Sequence, residues 1–419
     1  MSDDQTESAP TDACARLTFE ARTHLRHGDS AATIECCLRA LQSGEVPLEQ
    51  AAAIEKLLRQ ADALDLADQI RGHILGGLDQ IERIHGDDPI ARSHLANILV
   101  LMNQHEKAMP HLEFSIARLP EEFEILFLYL VCQLETNTFL PGALDITAIC
   151  AKAGRPQTVV SVLVSMLAHY GQKAEARRIL DMMAHVFTDS DDMARLATLR
   201  AALDGAAEPV DQRATANKLF DAFAENYDTK LEALENNGPA MIGRVLDTIG
   251  LPRDGSLRVF DAGCGTGLCE PYLRPRASLL HGADLSIGML EKVKAKGTYD
   301  LLCRSDLAAT DTLPEGTFDL IVAADVLVYF GNLSDVFANM AAMLAPGGWF
   351  VFTVEEAPDD IAPPGYGLNV SCRNCHSEAY LHRALAVVGL SAECTHRDGL
   401  RLEFRKPVNG LAIAARKAG

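Results

Sequence analysis

Positive charge is what this chain is shortest of. Its 38 lysines and arginines face 58 aspartates and glutamates, for a formal net charge of −20 and a pI near 5.0. Nucleic-acid binding draws on neutralised phosphates, and no lysine- or arginine-rich run offsets the wrong sign, so no nucleic-acid partner is expected. Long apolar runs are missing too. The longest unbroken one in the front half, 125–132, is far short of the roughly 18 residues a membrane helix needs. Met1 to Pro10 is polar and acidic, with no basic stretch ahead of an apolar one, which argues against a secretory signal. The expectation is a cytoplasmic protein without a membrane partner.

Cysteine is present but unpaired in number. Eleven cysteines scatter over both halves of a chain too large to depend on disulfides, which suits buried thiols in a reducing compartment. The run Cys372-Arg373-Asn374-Cys375-His376 has the spacing of a c-type haem attachment, a motif with meaning in exported proteins; here coincidence is the better reading. No second Cys/His pair at zinc spacing lies in the same half, so no metal is expected.

What the chain does have is length and two different periodicities. With 419 residues, 48% hydrophobic and 23% charged, it should form two domains or more. The N-terminal half reads as helix after helix. Asn103-Gln104-His105-Glu106-Lys107-Ala108 aligns with Tyr170-Gly171-Gln172-Lys173-Ala174-Glu175-Ala176, setting Ala108 and Ala176 68 residues apart with Gly142 midway. A 34-residue period is that of tetratricopeptide (TPR) repeats. Leu95, Leu99, Ala108, Leu112 and Pro120 in one unit, and Leu163, Leu167, Gly171, Ala176 and Leu180 in another, partly match their packing positions. No tryptophan occurs in these units, and Ala13–Ser43 and Pro47–Gly86 offer helix pairs outside the register. The expected organisation is a disordered stretch 1–11, a TPR-like array of about five pairs over 12–202, a linker at 203–218 and a second domain at 219–419.

In the second domain, Val259-Phe260-Asp261-Ala262-Gly263-Cys264-Gly265-Thr266-Gly267 predicts a buried parallel strand, a tight turn and a helix beginning near Leu268. Glycines there let a ligand approach the backbone closely. Asp284 ends the next strand 21 residues after Gly263, the position from which an acid hydrogen-bonds ribose hydroxyls. A pyrophosphate fingerprint would need its third glycine or an alanine at 268, where Leu268 stands. Asp261 would also repel a pyrophosphate but attract the ammonium of an amino-acid moiety. The spacing favours S-adenosylmethionine over a nicotinamide or flavin.

With these motifs the chain resembles the class I, Rossmann-like S-adenosylmethionine-dependent methyltransferases from about Leu219 to Arg416. Ser286–Leu290, Cys303–Leu307, Phe318–Asp325 and Leu344–Glu355 are similar to the family's later motifs in order. Phe220–Asp228 and Cys375–Tyr380 look like segments of a bacterial group of predicted TPR-repeat methyltransferases. The resemblance implies an α + α/β protein: the all-α array, then a seven-stranded, mostly parallel sheet whose seventh strand is antiparallel. Arg401–Arg405, Pro407 and Gly410–Ala415 look like the hairpin joining strands six and seven.

The resemblance also implies a cofactor site. Tyr227, Asp261, Gly263, Cys264, Gly265 and Gly267 would form its near side, Asp284, Leu285 and Met289 its ribose side. Asp306 would reach the adenine amino group and Leu307 would pack on the ring. Asp325 is open to two readings, a contact to cofactor or acceptor and a helix N-cap. His376 is the titratable candidate for a general base, alongside a structural role. The loop after Asp325 and the connection from Glu355 to Tyr380 should surround the acceptor together with Tyr227. The pattern of an acid or amide followed by two prolines and an aromatic is absent after the fourth strand, where Val326-Leu327-Val328 stands. That lowers the expectation of methylation on adenine-, glutamine- or cytosine-type amino groups. Three functions follow: a small-molecule methyltransferase whose array binds a partner or forms a homo-oligomer, a methyltransferase for protein or carrier-bound groups delivered by the array, and an adaptor that only binds the cofactor.

Overall fold

In the front half, apolar residues three and four apart gather on one helix face after another; Ala51, Ile54, Leu57 and Leu58 are the buried stripe of a single helix. The computed structural model describes residues 10–26, 28–143, 145–206, 234–358 and 363–419. Tyr227 with the Phe220–Asp228 run, residues 207–218 of the expected linker and the first nine residues lie outside that set. The chain divides into two compact units, Met1–Leu163 and Val164–Gly419.

The first unit is all helix: α1 (Pro10–Arg26), α2 (Ser30–Gln42), α3 (Leu48–Gln60), α4 (Leu64–His85), α5 (Pro89–Leu101), α6 (His105–Ile116), α7 (Phe123–Glu135), α8 (Ile146–Lys152) and the start of α9 (Pro156–His169). α1 thus takes in the last residues of the stretch expected to be disordered. Cys14, Leu17, Cys37, Ile54 and Leu58 bury one cluster, and Ile74, Leu95, Leu99, Ala108, Leu112 and Ile125 another. Among the described residues no helix is long and apolar enough to cross a membrane.

One turn geometry repeats along these helices. Gly28, Asp62, Asn103, Asn137 and Gly171 all have left-handed φ, between 56° and 78°. After each, the next residue's N–H reaches back five residues: Asp29 to His24, Ala63 to Leu58, Gln104 to Leu99, Thr138 to Gln133 and Gln172 to Leu167, at 2.7–3.0 Å. This is the Schellman ending, which satisfies carbonyls left open at a helix C-terminus. Gly28 and Asp62 are 34 residues apart, and so are Asn103, Asn137 and Gly171 in succession. The two registers are offset because α4 runs for 22 residues where α6 has 12. The degenerate middle pair keeps the turn after losing the side-chain pattern. Asn and Asp serve there because they tolerate a left-handed backbone better than other side chains.

The second unit adds α10 (Lys173–Met182) and α11 (Ser190–Asp204) to a sheet with helices on both faces. It reaches upstream of 203–218 because the chain on either side of these helices meets the strands: in the turn before α10 the Tyr170 hydroxyl donates to the Phe404 carbonyl at 3.0 Å and the Lys406 ammonium lies 4.3 Å from the Tyr170 ring centre, and just after α11 the Ala206 carbonyl accepts from Leu368 N–H. The strands are β1 (Leu257–Ala262), β2 (Ala277–Asp284), β3 (Leu301–Arg304), β4 (Phe318–Ala323), β5 (Leu344–Glu356), β6 (Tyr366–Leu368), β7 (Asn374–His376), β8 (Leu390–Glu403) and β9 (Lys406–Lys417). Strands β3, β2, β1, β4 and β5 are parallel neighbours in that order. β9 then pairs antiparallel with β5, and β8 antiparallel with β9. The near-continuous apolar runs of β1, β4 and β5 follow from burial on both faces.

One face packs Phe260, Phe350 and Phe352 against α15 (Ser334–Met343) and α16 (Glu378–Val387), through Phe337, Leu381 and Leu385. The other packs Val259, Leu320, Val322 and Val351 against α12 (Gly238–Thr248) and α13 (Glu270–Leu273), through Met241, Val245 and Leu273. α14 (Ile287–Lys296) follows β2.

The antiparallel seventh strand and its hairpin hold as expected, here as β9 and β8. Their two-residue turn, Phe404-Arg405, has positive φ at both positions, 47° and 69°, the type I′ geometry that matches strand twist. Two expectations need correction. Among the described residues the sheet has nine strands, because the connection after β5 forms its own antiparallel hairpin, β6–β7, with β7 parallel to the last residues of β5. The helix after the glycine loop is one turn long and starts at Glu270, with Pro271 in its first turn and Pro275 in the 3-10 turn that follows.

Candidate active site

β1 ends in Asp261-Ala262, and the chain turns at Gly263, whose N–H and that of Cys264 both donate to the Ala283 carbonyl at 2.8 and 2.9 Å. The loop is therefore tied to the end of β2. Gly267 closes it by donating to the Cys264 carbonyl. A Cβ on Gly263 (φ 79°) would sit 2.6–3.1 Å from three Val326 side-chain atoms, so the loop and the segment after β4 meet there in direct contact. At Gly265 (φ 52°) a Cβ would find no heavy atom within 4 Å. One glycine serves packing, the other leaves space.

That space lies beside Asp284. Its Oδ2 accepts from the Gly265 N–H at 2.9 Å and its Oδ1 from Ser286 at 2.8 Å. Ser286 caps α14 by accepting from Met289 N–H, which seats Met289 in the interior. The Leu285 carbonyl accepts from Arg304. Ser305 N–H donates to the Asp284 carbonyl, bringing the end of β3 alongside, and Asp306 then accepts from Ala308 N–H. Leu307 is buried in the core beside Phe318 and Ile321. Asp306, Asp284, the glycine loop and Asp325 thus stand in a row along the carboxyl edge of β3, β2, β1 and β4. An open backbone approach beside a carboxylate at that edge fits an adenosine ligand with free ribose hydroxyls.

Asp261 is only 1% exposed, and Tyr299 donates to its Oδ2 at 2.6 Å. Burial pushes this carboxyl up to about 7; the Tyr299 hydrogen bond opposes the rise and the Asp284 charge adds to it. Cys264 beside it is buried, and burial with the charges of Asp261 and Asp284 drives its thiol upward.

Asp325 has left-handed φ (53°), and its N–H donates to Thr353 Oγ1 at 2.8 Å. Its Oδ2 accepts from Asn236 at 3.1 Å, and its Oδ1 lies 3.4 Å from Arg401 Nη1. No side chain caps the 3-10 turn that follows, so the N-cap reading gives way to an ion pair. Arg401 is fully buried on β8. It bonds Glu355, itself fully buried at the end of β5, and its Nε donates to Glu403 at 2.9 Å. Burial works against the Arg401 charge, but Glu355, Asp325 and Glu403 outweigh it and hold the guanidinium protonated. Asn369 donates to Glu355 Oε2, and Arg373 Nη1 lies 3.6 Å from Glu403.

His376 sits on β7, fully buried beside the paired rings of Tyr366 and Tyr380. Its Nε2 donates to the Gly331 carbonyl at 2.9 Å, which leaves the lone pair on Nδ1. Burial pulls it down to about 4, against the Gly331 and Phe330 carbonyls and the Glu355 charge. No hydrogen bond among the described residues joins His376 to Asp325. Sequence reading did not place Arg401 and Glu403 beside Asp325; Glu355 and Arg373 fell within the connection expected around the acceptor, without a role of their own. The available signal was an arginine and a glutamate two apart, hence on one face, in an otherwise apolar strand end.

A family model described as a methyltransferase domain matches residues 260–352. These residues form a methyltransferase domain of the Rossmann-like class whose cofactor is S-adenosylmethionine. Human methyltransferase-like protein 27 is 37% identical over 112 residues, 26% of this chain and 45% of that protein. The 18S rRNA (guanine-N(7))-methyltransferase of Bos taurus is 29% identical over 119 residues, covering 26% of this chain and 42% of its own length. Aklanonic acid methyltransferase DauC of Streptomyces sp. strain C5 is 32% identical over 146 residues, 32% of this chain and 63% of that one. The match thus spans between two fifths and two thirds of these relatives. A solved S-adenosylmethionine-dependent methyltransferase from Mesorhizobium loti aligns over 43% of this chain and 97% of its own, with 24% identity and a TM-score of 0.35.

Proposed function

We propose that this protein transfers the methyl group of S-adenosylmethionine to a small-molecule acceptor in the cytoplasm, and that its helical array is TPR-like and binds a protein partner or a second copy of the chain. The observation that carries the first part is the Gly265–Asp284 contact, an open backbone approach beside a strand-end carboxylate. Asp284 would hold the ribose, while Asp306 and Leu307 would flank the adenine. When bound, S-adenosylmethionine supplies an electrophilic methyl carbon on a sulfonium, open to in-line attack by an acceptor lone pair. Asp325, with both carboxylate oxygens engaged, acts as a fixed acceptor of hydrogen bonds that orients what lies above the loop. His376 is neutral at pH 7 and a weak base, so positioning carries more of the rate than proton removal.

Support for a small acceptor comes from the buried Arg401–Glu355 pair at the strand ends, together with the strongly acidic chain, which disfavours nucleic acid. Support for the array's role comes from its 34-residue turn spacing, since stacked helix pairs offer extended binding surfaces. A second reading, delivery of a protein or carrier-bound group, draws on the packing of Tyr170 against the β8–β9 turn next to Glu403. Calorimetry with S-adenosylmethionine on wild type and Asp284→Ala tests the cofactor site; equal affinities would sink it. Labelled cofactor incubated with cell extract separates the acceptors. Label in small molecules supports the first reading, and label in protein the second.

A further inference from the structure

Among the described residues, seven buried side-chain nitrogen or oxygen atoms lack a hydrogen-bond partner, and four of them belong to the β6–β7 hairpin: Ser371 Oγ, Arg373 Nη1, Asn374 Oδ1 and His376 Nδ1. A buried polar atom left unpaired costs about 1–3 kcal/mol, and such atoms are normally few and scattered. Here they gather on one short element with a definite place. β7 runs parallel to Glu355 and Glu356 at the carboxyl end of β5. Asn374 and His376 reach across to the carbonyls of Val328 and Gly331, in the segment that follows Asp325. The hairpin therefore lies at the carboxyl end of the sheet against the segment after β4, which the glycine loop meets at Val326, on the side where an acceptor would approach the methyl carbon.

Arg373 decides the chemistry. Arg401 takes the strong contacts of Glu355 and Glu403, so Arg373 keeps only a 3.6 Å ion pair to Glu403, and its Nη1 donates to nothing. A partly exposed guanidinium whose buried Nη1 has no hydrogen-bond partner fits a planar anion. Two carboxylates act on it, Asp325 and Glu403, alongside the Arg401 guanidinium, and they repel a dianion more than a monoanion. We propose that the acceptor carries a carboxylate and that Arg373 binds it, with the β6–β7 hairpin as the platform for the rest of the molecule. The proposal rests on the small-molecule methyltransferase reading above and narrows it to one substrate class.

The test uses the full chain with methyl-labelled S-adenosylmethionine and a small-molecule extract separated on an anion exchanger at neutral pH. Label is expected in retained fractions, and pretreating them with phosphatase should leave it unchanged. Arg373→Gln should lower kcat/KM for those fractions at least about thirtyfold, mainly through KM, with Arg373→Lys in between. Cofactor affinity by calorimetry should stay within about twofold of wild type, which shows that the variant folds. Label confined to unretained fractions, label lost on phosphatase treatment, or an unchanged Arg373→Gln would each overturn the carboxylate assignment; the first two need no variant. Normal cofactor binding with no label in any small-molecule fraction would instead sink the underlying reading, and this one with it.

Discussion

Gly263 and Gly265 are two residues apart in one loop, both with left-handed backbones, and alanine should fail at them for different reasons. Either substitution meets the left-handed penalty for a side chain, about 1–2 kcal/mol. At Gly265 that is all the fold loses, because nothing lies within 4 Å of the new methyl. At Gly263 the methyl would press on three Val326 atoms at 2.6–3.1 Å, which adds about 1–3 kcal/mol of overpacking. Gly263→Ala should therefore unfold in urea with about 2–5 kcal/mol less stability, against about 1–2 for Gly265→Ala. Adding Val326→Ala should return the overpacking part, giving a coupling of about 1–3 kcal/mol in a double-mutant cycle with Gly263 and none with Gly265. Cofactor binding should reverse the ranking within the measurable range. Gly265→Ala, folded but with a methyl in the open approach, should weaken S-adenosylmethionine at least tenfold, or about 1.4 kcal/mol. Wild-type affinity in Gly265→Ala, or equal stability losses at the two positions, would refute the division of labour.

Removing the Arg401 guanidinium should cost about 3–5 kcal/mol, because it strands the fully buried Glu355 carboxylate. Arg401→Met combined with Glu355→Gln should be more stable in denaturant than Arg401→Met alone. Asp261 should make the cofactor-free fold sensitive to pH. Its carboxyl is raised from 3.8 to about 7, so its contribution is complete below about pH 4 and fades as pH rises to about 7, on the order of 4 kcal/mol in all. Unfolding of wild type against Asp261→Asn across that range should show the difference, and parallel curves would contradict it. Tyr299→Phe removes the hydrogen bond that holds this carboxyl down, so it should move the Asp261 transition to higher pH.

Much of the site was legible in order along the chain. The strand, the glycine turn and the acid at the end of the next strand are local, because each is set by backbone freedom and by which end of a parallel strand opens to solvent. The helical period was legible at 103 and 171 but not at 28 and 62, since the longer α4, only partly offset by a shorter loop after it, shifts the register while each Schellman turn still forms from its own helix end. Asp325 could be named but not explained. Its partners, Asn236, Thr353 and Arg401, come from α12's approach, β5 and β8, and only the closing of β9 against β5 sets them together. The same holds for Arg373, whose tie to Glu403 depends on a hairpin inserted after β5.

The sequence alone therefore determined the class of the C-terminal sheet, its glycine loop and the helical character of the front half, because each depends on residues near one another in the chain. The tertiary structure alone decided what stands at the ends of β4, β5 and β8: three carboxylates and two guanidiniums gathered around the buried Arg401–Glu355 pair, and a hairpin with unpaired polar atoms. Charges cluster in an interior only where strands distant in sequence bring partners together, and no local pattern records which distant residue will arrive.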